Sequence, residues 1–393
     1  MAGASGGPVP PRTRAIVDLA AICQNYQRLA ALAGRSVELM CVVKADAYGH
    51  GAGEVSGALF AAGARHFAVA TLDEAVGLAE AGLESPVAVL FGLAAGEERE
   101  AAARAVRPMI NSLGQLERWE REARRLGRRL PCHLMLNTGL NRLGLDLHGG
   151  SGGLERIDAS SQWLEFEGVA THYAAPENFA SGQTGEQARA FRRTVRTLRE
   201  RGVAPRHMHT AASAAIVHRR TDDRVRADCT MARPGLALYG YVLRAVGREG
   251  APTADLRPAL EWRARLSGLH DVARGAAVGY SASFVAPRDM RVGVLSVGFA
   301  DGLDRRLANR GCALLRGVPC PIVGAISMDL TVIDVTAARG VAESDECVVL
   351  GRQWQTAQGI SDLIGVVPYE VLCGISPRVP RQYVWTSAPE SER

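Results

Sequence analysis

From Val37 to about Tyr239 short apolar runs alternate with amphipathic ones. The apolar runs are VELMCVV (37–43), HFAVA (66–70), PVAVLFG (86–92), RPMI (107–110), CHLMLN (132–137), LEFEGVATH (164–172), RHMH (206–209) and CTMA (229–232). Their length and apolar character predict buried strands. Between most of them lie Ala-, Leu-, Glu- and Arg-rich stretches with helical patterning, such as 73–82, 112–127 and 184–201. An earlier helix is predicted after Asp18, a residue suited to capping first-turn amides. There Leu19, Ile22, Tyr26, Leu29 and Ala33 follow the 3.6-residue period, and Gly34 closes the helix. Strands that alternate with helices predict a parallel sheet, and eight of them is the number that closes a (β/α)8 barrel. An open doubly wound sheet is the other arrangement with this pattern.

After about Arg257 the pattern changes. VGVLSVGFADG, CALLRGVPCPIVGAISMDLTVIDVT and ECVVLG are rich in Val, Ile and Leu, short, and broken by Gly and Pro. No long helical pattern intervenes, which predicts a mostly β domain. The expected layout is a flexible tail over 1–11, a barrel over 12–250 and a β domain over 251–393, with the junction in the Arg/Gly/Pro-enriched stretch 241–257.

Composition narrows the function classes. The net charge of +5 is small for 393 residues, and aromatics are only 5% and do not interleave with the basic runs, so no nucleic-acid platform is indicated. No stretch approaches the roughly 20 apolar residues of a membrane span. The eight cysteines form no CxxC pair and no disulfide framework, and no metal site is expected. The Gly/Ala/Pro-rich N-terminus has no apolar core of a signal peptide, so the expected location is the cytoplasm.

One count changes the picture. Lys and Arg together number 46, yet Lys44 is the single lysine, leaving 45 arginines. A surface lysine is ordinarily the simplest reading of any one lysine, but here arginine evidently serves wherever only positive charge is needed. Arginine cannot form an imine, and lysine can. Lys44 also directly follows the apolar run 37–43, at the C-terminal end of the first barrel strand, where barrel enzymes carry their chemistry. An amine emerging from a buried strand is partly desolvated, which favours the nucleophilic neutral form. The loops after strands seven and eight, where Ser213 opens a small-residue helix and Gly235 and Leu236 follow, are common phosphate sites in barrels.

Val42-Val43-Lys44-Ala45-Asp46-Ala47-Tyr48-Gly49-His50-Gly51 resembles the pyridoxal-phosphate attachment motif of the alanine racemase family, and further resemblance recurs in order along almost the whole chain. The resemblance implies a (β/α)8 barrel followed by a C-terminal β domain. It implies that Lys44 holds the cofactor covalently and that Tyr48 contacts its phosphate. Asn137-Thr138-Gly139-Leu140-Asn141-Arg142-Leu143-Gly144 is similar to a family loop whose arginine, here Arg142, binds the cofactor's phenolic oxygen and the substrate carboxylate. Thr171-His172-Tyr173 resembles the segment whose histidine orients its catalytic neighbours. Arg233, in Met231-Ala232-Arg233-Pro234-Gly235-Leu236, matches the arginine facing the pyridine nitrogen. A permanent cation there weakens the ring as an electron sink and suppresses transamination. Tyr369 resembles a further phosphate-contacting residue.

In the β domain, Val278-Gly279-Tyr280-Ser281-Ala282 is similar to the segment carrying the second base, and Met328 resembles a residue whose backbone holds the substrate carboxylate. Racemisation removes a proton from one face of a planar centre and returns one to the other. Lys44 and Tyr280 would serve the two faces. In the family this tyrosine comes from the partner subunit, so the resemblance implies a homodimer with shared sites.

Three positions depart from the family. Met135 stands where many relatives carry a carbamylated lysine that positions the carboxylate-binding arginine, and the chain has no second lysine to replace it; a bound anion such as chloride would take over that role. Asn137 replaces the usual aspartate and Ala212 the common asparagine before Ser213. Besides an alanine racemase, the open readings are a racemase of broader or different specificity, such as serine, a non-catalytic pyridoxal-phosphate carrier, and a decarboxylase of related architecture. Carriers resemble the barrel alone, and such decarboxylases typically place an acidic residue where Arg233 stands.

Overall fold

The computed structural model of the chain describes residues 11–147, 152–218 and 229–386. Residues 1–10 of the expected tail therefore lie outside the described residues. The chain divides into two compact units, one spanning Ile22–Arg257 and one combining the segment up to Ala21 with Pro258 onward.

The first strand, β1 (Thr13–Asp18), belongs to the second unit. It pairs antiparallel with a strand at Leu260–Val272 and parallel with one at Arg381–Val384. This differs from the expected start of the barrel at residue 12. The alternating burial of β1 suits any sheet, and only its partners, some 250 and 370 residues away, decide which one it joins. Asp18 then caps helix α1 (Leu19–Ala33) by accepting from the Ala21 N–H at 3.2 Å, and Gly34 ends it at φ 95°.

Each of the eight predicted runs overlaps a strand: β2 (Glu38–Val42), β3 (His66–Val69), β4 (Val87–Val89), β5 (Arg107–Ile110), β6 (Leu130–Met135), β7 (Leu164–Ala170), β8 (His207–His209) and β9 (Met231–Ala232). Neighbours are parallel from β9 through β2 to β8. The ring closes where Thr230 donates its N–H to Met208 O and Arg233 donates to Ala211 O, at 2.9 and 2.8 Å. The sheet is thus a (β/α)8 barrel and not an open one. The strands are buried almost throughout because helices such as Leu72–Glu80, Leu113–Leu126 and Gln183–Glu200 cover them outside, while side chains fill the interior.

The second unit is mostly β. Its long strand Leu260–Val272 pairs with β1, with Met290–Leu295 and with Glu346–Leu350. Two short helices, Ala357–Ile364 and Pro368–Cys373, complete it among the described residues. Among those residues no helix is long and apolar enough to cross a membrane.

Candidate active site

Strand β2 delivers Lys44 to the C-terminal mouth of the barrel. The chain then makes a single left-handed turn: Ala45, Asp46, Ala47 and Tyr48 all have φ of 52° to 54°. Such a turn costs roughly 1–2 kcal/mol per residue for L-amino acids, so neighbouring groups must hold it. Glu74 Oε1 accepts from the Ala45 N–H at 2.7 Å, while its Oε2 accepts from the Ala70 N–H at 2.7 Å. One carboxylate therefore ties the ends of β2 and β3 together around the lysine. Asp46 Oδ1 accepts from the Ala52 N–H at 2.7 Å and closes the far side of the turn. Lys44 Nζ lies 5.2 Å over the Phe91 ring.

The turn carries Tyr48 to the loop after β9. A Cβ on Gly235 would stand 2.6 Å from Tyr48 Oη, so only glycine lets the hydroxyl approach this backbone so closely. Ser213 Oγ accepts from the N–H groups of Gly235 and Ala237 at 3.0 and 3.1 Å. Buried Leu236 opens the 3-10 turn Leu236–Tyr239 beside them. Tyr48, Ser213, Gly235 and Leu236, far apart in sequence, thus meet in one small cradle of hydroxyl and amide groups.

Arg233 is buried. Its Nη1 donates to His209 O at 2.5 Å and its Nη2 to Thr171 O at 2.7 Å, and Nη2 lies 3.4 Å from His172 Nδ1. Burial lowers its pKa to about 10, so it remains a cation at neutral pH. His172 is held near a pKa of about 3, first by burial, then by the charges of Arg233, Arg142 and Lys44. Its ring is neutral, and the causes of that shift gather all four residues at one end of the barrel.

Arg142 stands exposed on the loop after β6. Asn137 shapes that loop, its Oδ1 accepting from the N–H groups of Gly139 and Asn141 at 3.2 and 3.0 Å. The asparagine that replaces the family's aspartate is therefore the organiser of the loop here. Thr138 and Thr171 bond hydroxyl to hydroxyl at 2.6 Å, and Gln187 Nε2 donates to His172 O at 2.9 Å, fixing the loop and the histidine strand to each other. Met135 ends β6, and Ala212 precedes Ser213 without a side-chain cap.

Tyr280, Met328 and Tyr369 lie in the second unit. Tyr280 stands at the tip of the hairpin formed by Ala277–Val278 and Phe284–Val285 and is 72% exposed. Asn309 braces that hairpin, donating to Ser283 O at 3.1 Å and accepting from the Gly324 N–H at 2.6 Å. Met328 is 57% exposed, and its carbonyl accepts from the Ala300 N–H at 3.0 Å. Tyr369 sits in the helix Pro368–Cys373.

Sequence reasoning missed Glu74, Phe91, Thr138 and Gln187. A signal existed for the first: Thr71 and Glu74 have capping-box spacing, and both reciprocal bonds form. Thr138 stands inside the motif at 137–144 with no role given to it, and Phe91 and Gln187 have no local signal, since each acts across sequence-distant loops.

Comparison with known proteins agrees with this geometry. The family model "Alanine racemase, N-terminal domain" matches residues 17–242, and "Alanine racemase, C-terminal domain" matches 259–383. The alanine racemase of Carboxydothermus hydrogenoformans is 37% identical over 374 residues, covering 94% of this chain and 98% of that protein. Alanine racemase 2 of Caldanaerobacter subterraneus subsp. tengcongensis is 34% identical over 378 residues, covering 95% of each. Among solved structures, alanine racemase from D-cycloserine-producing Streptomyces lavendulae superposes with a TM-score of 0.87 at 30% identity, covering 96% of this chain and 98% of that one. Alanine racemase from Bartonella henselae, with covalently bound pyridoxal phosphate, superposes with a TM-score of 0.84 at 28% identity, covering 95% of this chain and 100% of that one. The chain belongs to the alanine racemase family.

Proposed function

We infer that this chain interconverts L- and D-alanine, with pyridoxal phosphate bound through Lys44 and with Lys44 and Tyr280 as the two proton-transferring groups. The observation that carries the reading is the gathering of a lysine amine, a buried arginine, a neutral histidine and a hydroxyl–amide cradle at one barrel mouth. These residues fit the cofactor: Lys44 supplies the amine, and the hydroxyls of Tyr48 and Ser213, gathered at Gly235, are groups suited to phosphate. When bound, pyridoxal phosphate supplies an electron sink that acidifies the substrate α-hydrogen.

The chain's own residues would do the rest. Arg233, pinned by two backbone carbonyls, offers charge and no titratable proton near neutrality. His172, being neutral, can accept a hydrogen bond from Arg233 and hold neighbouring groups in place without adding charge. Arg142, exposed on its loop, would pair with the substrate carboxylate. Tyr369 would add a phosphate contact and the Met328 backbone a carboxylate contact. Lys44 Nζ would move the proton on one face and the Tyr280 hydroxyl on the other.

The high exposure of Tyr280 and Met328 supports a site completed by a second subunit, hence a homodimer. Cysteines carried as free thiols suit a reducing compartment, the cytoplasm. The test is α-deuterium exchange over a panel of L-amino acids in the presence of pyridoxal phosphate. Alanine should exchange fastest and yield both enantiomers. Lys44→Ala should remove the cofactor's visible absorbance and lower racemisation by about 10²–10⁴-fold or more. Retention of both would refute the assignment.

A further inference from the structure

The barrel's other mouth carries a second chemical cluster. Glu38, His66 and His207 each begin a strand, β2, β3 and β8, so all three stand at the N-terminal end, opposite Lys44. Their sequence separation hides them, but the closed barrel converges them. One ligand atom from each lies within 4.8 Å of the other two. His66 Nε2 stands 2.8 Å and His207 Nδ1 3.8 Å from Glu38 Oε2.

The contact at 2.8 Å does not have hydrogen-bond geometry, and Glu38 Oε2 is buried with no hydrogen-bond partner. The other carboxylate oxygen, Oε1, faces Arg206 Nη2 at 3.5 Å. One oxygen is thus turned to a surface arginine while the other is directed at two imidazoles. The cluster borders a cavity of about 510 Å3 that is lined by both histidines and reaches His133.

We propose that Glu38, His66 and His207 bind a zinc-like divalent transition-metal ion at the N-terminal mouth of the barrel. Two imidazole nitrogens and one carboxylate oxygen are borderline ligands of the kind zinc, cobalt and nickel take. Tetrahedral zinc ligands sit about 3.3 Å apart, which these atoms reach with small side-chain adjustments. The cavity leaves room for water to complete the coordination. The ion would clip β2 and β3 to β8 on the far side of β9, the shortest strand of the ring, so its role is to fasten the barrel closure.

The test uses the full chain with its cofactor, stripped by chelator and titrated with Co2+ alone. One saturable equivalent should give a visible metal-centred band that Zn2+ displaces, and the melting temperature should rise with metal concentration. Glu38→Gln and His66→Gln should each weaken binding by about tenfold or more, while metal-free melting and racemase turnover stay at wild-type values. Two variants are used so that a folding defect in one leaves the other to decide. Absence of a saturable band, unchanged affinity in both variants, or binding lost instead in Cys373→Ser, which would place the ion on the exposed thiol, would each overturn the proposal.

Discussion

A neutral histidine inside a ring of cations is costly to protonate, and this barrel holds several. Burial is the main cause that keeps His133 and His172 at a pKa of about 3, and it pushes His209 well below its usual value. In the unfolded chain each titrates near 6.5. Between about 3 and 6.5 the folded chain therefore binds fewer protons than the unfolded one, so stability rises with pH across that window. It is fully present above about 6.5 and is lost as the pH falls toward 3. The expected outcome, in chelator, is a lower urea midpoint at pH 5 than at pH 7, above the range where most carboxylates protonate. His133→Gln should shrink that difference; an equal difference would assign it to other groups. At this scale the sequence was most legible where chemistry restricts residue type. Lys44 stood out because arginine cannot replace an amine. Glu38, His66 and His207 did not, because a histidine beginning a strand has the same local signature whether it packs, caps or ligates.

Strand and helix patterning was read with few errors because most barrel-strand positions are buried, whichever face they are on, while the covering helices are buried on one face. Such burial leaves the two periods plain. What the pattern could not specify was pairing: β1 has the burial of a good strand but enters the other unit's sheet. It also gave no hint of the left-handed turn at 45–48, which Glu74 holds from outside the segment and Asp46 from within it. Inside the barrel, β7 shows how one missing side chain sets an interior contact. A Cβ on Gly168 would lie 2.1 Å from His133 Nδ1 and 2.9 Å from His209 Nε2, the two atoms that bond to each other at 2.9 Å. Gly168→Ala must push β6 and β8 apart or break that pair. It should destabilise the chain by about 1–3 kcal/mol, read as a lower urea midpoint. Gly235→Ala should spare stability more but weaken pyridoxal-phosphate binding, since its clash falls on the far end of Tyr48, which can swing away. Fluorescence titration with the cofactor reads that loss, and unchanged affinity would remove Tyr48 from the cradle.

In the whole molecule, the proposed bases come from different units: Lys44 from the barrel, Tyr280 from a hairpin tip of the β unit that stands exposed in the single chain. A proton-transfer group left in water is not held against one face of a substrate, so its proposed role requires something to cover it. If a second copy covers it, each site takes Lys44 from one subunit and Tyr280 from the other. Lys44→Ala and Tyr280→Phe then damage both sites of their own homodimers. A mixed dimer collects both lesions in one site and leaves the other intact. Random re-pairing puts about half the dimers in the mixed form, so about a quarter of wild-type racemisation should return when the two inactive proteins are unfolded together and refolded. A site complete within one chain would return none. The Tyr280→Phe homodimer carries a second signature: α-proton exchange should fall far more from one enantiomer than from the other. Equal losses would mean that the tyrosine positions the substrate without moving its proton.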